Sequence, residues 1–217
     1  MNRHLGKQEL SGVIIFLSLL FSLIISCKKE EPKEVEEVLF EEDFSDNSIG
    51  WPVGEYEVAD LKIENGAYLI ETKIEDPNYF FQIYSNQHFA GSYNVEVIMA
   101  NLSGDDSLVY GIQYYRKDTY NLFNFFLRED KFFISYVYNY NYHIICDWTY
   151  SSSIKPFGQY NTILIDISGN HMDFYINGVL VHQYGAQITV GEKFGLQIAG
   201  KGKVGFDYIK IYRIIST

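Results

Sequence analysis

Aromatic residues crowd residues 110–142: 13 of the chain's 37 (19 Tyr, 16 Phe, 2 Trp) lie there, interleaved with amides, hydroxyls and arginines. That mixture has a chemistry. Flat apolar rings pack against the C–H faces of sugars, while Asn, Gln, Ser and Arg hydrogen-bond their hydroxyls. Period-two sorting assigns side chains to faces. Over residues 108–117, Ile112, Tyr114 and Arg116 share one face, and Gln113, Tyr115 and Lys117 the other. Over 120–128, Phe123, Phe125 and Leu127 form an apolar face, and Leu122, Asn124, Phe126 and Arg128 a mixed one. Over 132–143, Phe132, Ile134, Tyr136 and Tyr138 read as core, and Phe133, Ser135, Val137, Asn139 and Asn141 as the wetter face. The candidate ligand surface is therefore Gln113, Tyr115, Asn124, Phe126, Arg128, Ser135 and Asn139, with Trp148 beside it. Aromatics are also what strands favour and what an all-β core uses, so the band by itself fits a core as well. Tyr136, Tyr138, Tyr140 and Tyr142 recur at every second position. Their hydroxyls need partners or water, which places at least Tyr140 and Tyr142 at solvent.

Other chemistries find little support. Cys146 follows two isoleucines in a strand-like run and reads as a small buried hydrophobe. His143, three residues earlier, falls on the opposite face of an uninterrupted strand, so no thiol–imidazole pair is expected. His88, His143, His171 and His182 lack zinc-ligand spacing, and no glycine-rich phosphate loop opens a helix. The net charge of −11 argues against a nucleic-acid binder, which needs a basic face. Two cysteines are too few for a disulfide scaffold.

The elements that must position these residues read as strands. Ile163, Ile165 and Ile167 alternate with Thr162, Asp166 and Ser168, as do Met172, Phe174 and Ile176 with His171, Asp173 and Tyr175. Phe194, Leu196 and Ile198 alternate with Lys193, Gly195 and Gln197. Such runs bury one face, as antiparallel strands do. Asn65-Gly66 and Asn177-Gly178 mark type I′ hairpin turns, because both central residues need positive φ. About a dozen strands follow one another without a sustained helical period, predicting an all-β sandwich or barrel over residues 38–217.

The first residues read as an address. Arg3 and Lys7 precede an apolar run over 13–25 that is broken only by Ser18 and Ser22. The run is shorter than the roughly 20 residues a membrane span needs and suits a secretory signal. Ile24-Ile25-Ser26-Cys27 resembles a bacterial lipobox, which implies cleavage after residue 26 and acylation of Cys27. Acyl chains would then tether the protein to a membrane at about 0.8 kcal/mol per buried methylene. Cleavage would remove Arg3, Lys7 and Glu9, leaving 15 basic and 27 acidic residues, net −12. Residues 27–37 read as the acylated Cys and a charged tether. The Lys-plus-acidic stretch after Cys27 resembles the surface-export signal of Bacteroidetes lipoproteins, although an ordinary spacer has the same composition. The expected location is the cell envelope, at the outer membrane.

A wider resemblance covers residues 38–213. Phe40-Glu41-Glu42-Asp43-Phe44 with Trp51-Pro52, Asn65-Gly66, the stretch 110–125, Trp148, Asn177-Gly178 and the closing Val204-Gly205-Phe206-Asp207 come in an order similar to concanavalin A-like, laminin-G-type jelly rolls. The resemblance implies an antiparallel two-sheet jelly-roll sandwich. It implies less about function, because the fold hosts lectins, glycosidases and structural modules. In related jelly rolls an opening-strand acid and a last-strand Asp hold structural Ca²⁺; the matching residues are Asp43 and Asp207. The laminarinase-type members carry Glu-x-Asp-x-x-Glu on one strand, and that spacing is absent here. The expectation is a lipid-anchored protein that binds a glycan or cell-surface polysaccharide without cleaving it, needs no cofactor beyond that calcium, and does not bind nucleic acid. A module contacting protein, or a glycoside hydrolase lacking the usual carboxylates, are the alternatives. The sequence carries no signal for oligomeric state.

Overall fold

In a computed structural model of the chain, the described residues are 34–76, 78, 80–84, 87–89, 93–104, 106–118, 121–168, 171–185 and 193–216. The described strands are β1 (Glu34–Glu42), β2 (Gly54–Glu55), β3 (Ala59–Glu64), β4 (Ala67–Thr72), β5 (Phe80–Tyr84), β6 (Asn94–Gly104), β7 (Val109–Asp118) and β8 (Asn121–Arg128). They continue with β9 (Lys131–Tyr138), β10 (Asn141–Tyr150), β11 (Asn161–Ser168), β12 (His171–Ile176), β13 (Val179–Gly185), β14 (Lys193–Ala199) and β15 (Gly202–Ser216). Two antiparallel sheets result. One has nine strands in the order β13-β12-β11-β6-β15-β4-β3-β2, with β1 also paired to β15; the other has six, in the order β10-β9-β8-β7-β14-β5. Residues 36–215 form one compact unit.

The alternation read from sequence explains the interior. Ile163, Ile165, Met172, Phe174, Ile176, Phe194 and Ile198 are fully buried. The two sheets meet through aromatic edges: Phe125 of β8 packs against Phe174 of β12 with ring centroids 5.4 Å apart, nearly perpendicular. Tyr114 of β7 reaches the Met172 sulfur of β12 at 3.9 Å. Each such side chain contributes about 1.5–3 kcal/mol by leaving water. Asn65-Gly66 and Asn177-Gly178 both take positive φ (54° and 73°; 50° and 78°), as their hairpins require.

The opening motif is a structural clasp. Glu42 accepts hydrogen bonds from the Phe44 amide and the Trp51 indole, both at 2.8 Å, and is itself buried. Phe44, Trp51 and Tyr68 stack within 5.7 Å of one another. β1 starts four residues before the boundary the sequence pattern gives. Glu36 and Glu37 leave the charged stretch to pair with Lys210 and Arg213 of β15, both at 2.6 Å.

Irregularities redirect side chains, and two stand out. The register of β15 against β6 shifts between Phe206 and Tyr208. Asp207 is the extra residue, so burial passes from Val204 and Phe206 to Ile209 and Ile211. The second is a turn. The run expected over 132–143 is not continuous: Asn139 and Tyr140 take φ of 47° and 67° and close the β9–β10 hairpin.

Candidate ligand face

The core-facing residues of the six-stranded sheet put a second set of side chains on its outer face. Across the strands, one row runs Gln113 (β7), Asn124 (β8), Ser135 (β9), since Gln113 pairs with Asn124 and Asn124 with Ser135. The next row runs Gln197 (β14), Gly111 (β7), Phe126 (β8), Phe133 (β9). Gly111 is required there. A Cβ on it would lie 2.1 Å from the Phe125 carbonyl oxygen and 2.9 Å from Phe126. Its absence lets the Phe126 ring lie down and stack on Phe80 of β5 at 5.5 Å. Phe126, Phe133, Val109 and Ala199 form a hydrophobic cluster separate from the main core, with Trp148 packed against it.

Amides sit inside this apolar frame. Gln113, Asn124, Ser135 and Gln197 are all at most 5% exposed. The Asn124 side-chain amide donates to Ser135 Oγ at 3.1 Å. Asn124 Oδ1 and Gln197 Oε1 are buried acceptors with no hydrogen-bond partner. Such atoms forgo about 1–3 kcal/mol each unless a donor reaches them. The sequence pattern does not single out Gln197 as a ligand residue. Its alternation with Phe194, Leu196 and Ile198 already placed it off the core, but only the β14–β7 pairing shows that it adjoins Gly111.

Gln113, Asn124, Phe126, Arg128 and Ser135 thus share the expected face, and Trp148 lies beside it. Trp148 plays a different part from a free stacking platform: its ring lies 5.2 Å from Phe133 and carries the Arg128 guanidinium 4.2 Å from its centroid. Tyr115 lies in β7, and its side chain is outside the described residues. Asn139 does not join the row, because the hairpin turn takes it to the tip of the sheet. There its amide donates to Asn121 Oδ1 at 3.3 Å and its carbonyl accepts from Asn141.

The same turn corrects the tyrosine repeat. Tyr138 is 47% exposed rather than core, and Tyr140 (75%) and Tyr142 (56%) do reach solvent. The four do not share one face: Tyr142 pairs with Val137, which puts it over the outer face, whereas His143 pairs with Tyr136 and stacks on it at 4.5 Å. Tyr142 also hydrogen-bonds Ser135, while its burial raises the phenol pKa.

Cys146 departs from the sequence reading too. Register shifts around it place both His143 and Cys146 opposite core-side residues of β9, Tyr136 and Ile134. The thiol is half-buried and lies 3.4 Å from Thr149 Oγ1, with no imidazole bond.

The calcium expectation gains no geometry. Asp43 Oδ1 accepts the Ser45 amide at 2.9 Å, a turn bond that lowers its pKa. Asp207 is the β15 bulge residue near the Tyr160 hydroxyl. Among the described residues no group of three or more His, Cys, Asp or Glu is placed to hold a metal ion. Cys27 lies outside the described residues.

A separate cleft of about 400 Å³ opens at one end of the sandwich between Asn101, Tyr110, Asp130 and Phe157. Burial there pushes the Tyr110 phenol up to about 12.

No protein-family model and no curated protein matches the sequence. Solved structures do. A laminarinase from Flavobacterium superposes with a TM-score of 0.59 at 17% identity, covering 82% of this chain and all of that one. A β-glucanase from Bacillus licheniformis gives 0.59 at 14%, covering 79% and 96%. A Bacillus subtilis protein of unknown function with a galectin-like fold gives 0.63 at 11%, covering 86% and 100%. The chain has the concanavalin A-like jelly-roll fold. At these identities the likeness concerns fold alone.

Proposed function

We propose that the outer face of the six-stranded sheet binds a glycan without cleaving it. The observation that carries this is the pair of unpartnered, buried acceptors, Asn124 Oδ1 and Gln197 Oε1, set among Gln113, Ser135 and the Phe80–Phe126 stack. Hydroxyl donors beside an apolar ring face are what a sugar presents. Hydrolysis would need two carboxylates about 5–9.5 Å apart across the bond. The described residues in the middle of this face are amides, a hydroxyl and aromatics, which suit binding. That solved glucanases share the fold supports a saccharide as the ligand class.

The same proposal extends to location. Cys27 in its lipobox-like setting is the acylation site, and the protein is held at the bacterial cell envelope, at the outer membrane, by lipid alone. Its net charge gives no attraction to anionic headgroups.

A glycan array with the full-length chain tests the binding reading. Capture of at least one polysaccharide, lost in Asn124→Ala, is expected. No capture of any glycan, or an Asn124→Ala profile identical to wild type, overturns it.

A further inference from the structure

Arg128 and Lys131 face each other across the β8–β9 hairpin as a directly paired register position. Both belong to the outer-face sets, Arg128 with Asn124 and Phe126, Lys131 with Phe133 and Ser135. Two cations so placed stand with Cβ atoms about 5 Å apart and repel. Among the described residues neither meets a carboxylate in an ion pair. Elsewhere Lys73, Lys203, Lys210 and Arg213 each meet a carboxylate at 2.6–2.8 Å.

The nearby described acids make no ion pair with either cation, and Asp130 Oδ1 is itself buried without a hydrogen-bond partner. Glu129 and Asp130, the two turn residues, line the end cleft. Asp147 Oδ1 accepts the Trp148 amide at 2.7 Å. The Arg128 guanidinium is held instead against the Trp148 ring at 4.2 Å, a contact that fixes its plane without neutralising it. Both side chains are half-buried, so part of each remains open to a ligand.

We infer that Arg128 and Lys131 receive an oxyanion carried by the glycan, either a uronate carboxylate or a sulfate ester. The inference rests on the glycan-binding reading of this face and adds the charge class of the ligand. A fork of guanidinium donors with an ammonium beside it matches either anion, and the anion removes the repulsion between the two cations. Since the chain is strongly acidic, its overall repulsion of polyanions works against such binding, so any preference must be local.

The test titrates the full-length chain with polygalacturonate and its fully methyl-esterified form, and with dextran sulfate and dextran. Binding of at least one anionic polymer about tenfold tighter than its neutral counterpart is expected, as for loss of one charge-assisted bond. Lys131→Gln should abolish the preference while leaving neutral-glycan binding and the melting temperature in place, and Arg128→Gln should abolish the preference as well. The polymer pair that responds separates uronate from sulfate. Equal binding of charged and neutral forms, or a preference that survives both substitutions, overturns this inference and leaves glycan binding standing. Failure of all four polymers together with an empty glycan array overturns both.

Discussion

The two outer faces of the sandwich are built from the same strand periodicity and have opposite characters. On the nine-stranded sheet many outward residues are charged and paired, Lys62 with Glu64, Lys73 with Asp60, Lys203 with Glu71, Lys210 with Glu36, with the Asp166–Asp173 pair as a like-charge exception. In the middle of the six-stranded sheet the outward residues are amides, a hydroxyl and aromatics nearly as buried as the core, with two acceptors unpartnered and two cations that meet no carboxylate among the described residues. A face that only needs to stay soluble satisfies itself with water and ion pairs. The proposed ligand is what would complete a face left unsatisfied while buried.

Glycines give the largest expected contrast between the faces. Gly111→Ala drives a Cβ into backbone atoms of β8, and should destabilise by about 3 kcal/mol in denaturant melts. Gly205, outward on the nine-stranded sheet, would meet only side-chain ends, the Tyr160 hydroxyl and Leu102 and Leu69 methyls. Gly205→Ala should therefore cost about 1 kcal/mol. Equal losses would erase the packing difference between the faces.

Gln197→Met comes next. It removes the unpartnered Oε1 at nearly constant shape, so the unliganded protein should gain about 1 kcal/mol while glycan binding weakens. A loss of stability would show that Gln197 is already satisfied.

On the nine-stranded sheet, Asp166 and Asp173 are direct cross-strand partners. Burial and the neighbouring Asp173 charge raise the Asp166 pKa. A carboxylate whose folded pKa is raised destabilises the fold above that pKa, and the effect vanishes below the unfolded value of 3.8. Asp166→Asn should thus stabilise by about 0.5 kcal/mol at pH 7 and by nothing in acid below that value. A gain that is independent of pH would exclude charge repulsion as its cause.

The smallest effect is expected for Lys210→Met, which breaks an ion pair with Glu36 and should cost about 0.3 kcal/mol, less in high salt.

Much of the fold was legible in the residues. Ile163, Ile165, Phe174 and Leu196 announce their strands because burial of one face forces period two, and Asn65-Gly66 and Asn177-Gly178 announce their turns because few residue pairs accept two positive φ values. The misreadings fall where an extra or reversed residue breaks that period. Asn139-Tyr140 lack the glycine that usually signals a tight turn, so a hairpin read as one strand and Asn139 was assigned to the wrong place. The shifts around Cys146 carry no compositional mark, since a bulge is set by the pairing strand. Gln197 joins the candidate face through β14–β7 pairing, a contact between residues more than 80 positions apart that no local pattern encodes. Arg128 and Trp148 were both in the candidate set, but their stacking on each other depends on the β8–β9–β10 register.

Amide NMR of the full-length chain titrated with a glycan captured on the array tests the central claim most directly. If the outer face of the six-stranded sheet is the ligand surface, the largest shift changes will cluster at Gln113, Asn124, Ser135 and Gln197, and the Asn124 and Gln197 side-chain amides will move with them. Changes confined to the nine-stranded sheet or to the cleft beside Asp130 would contradict it.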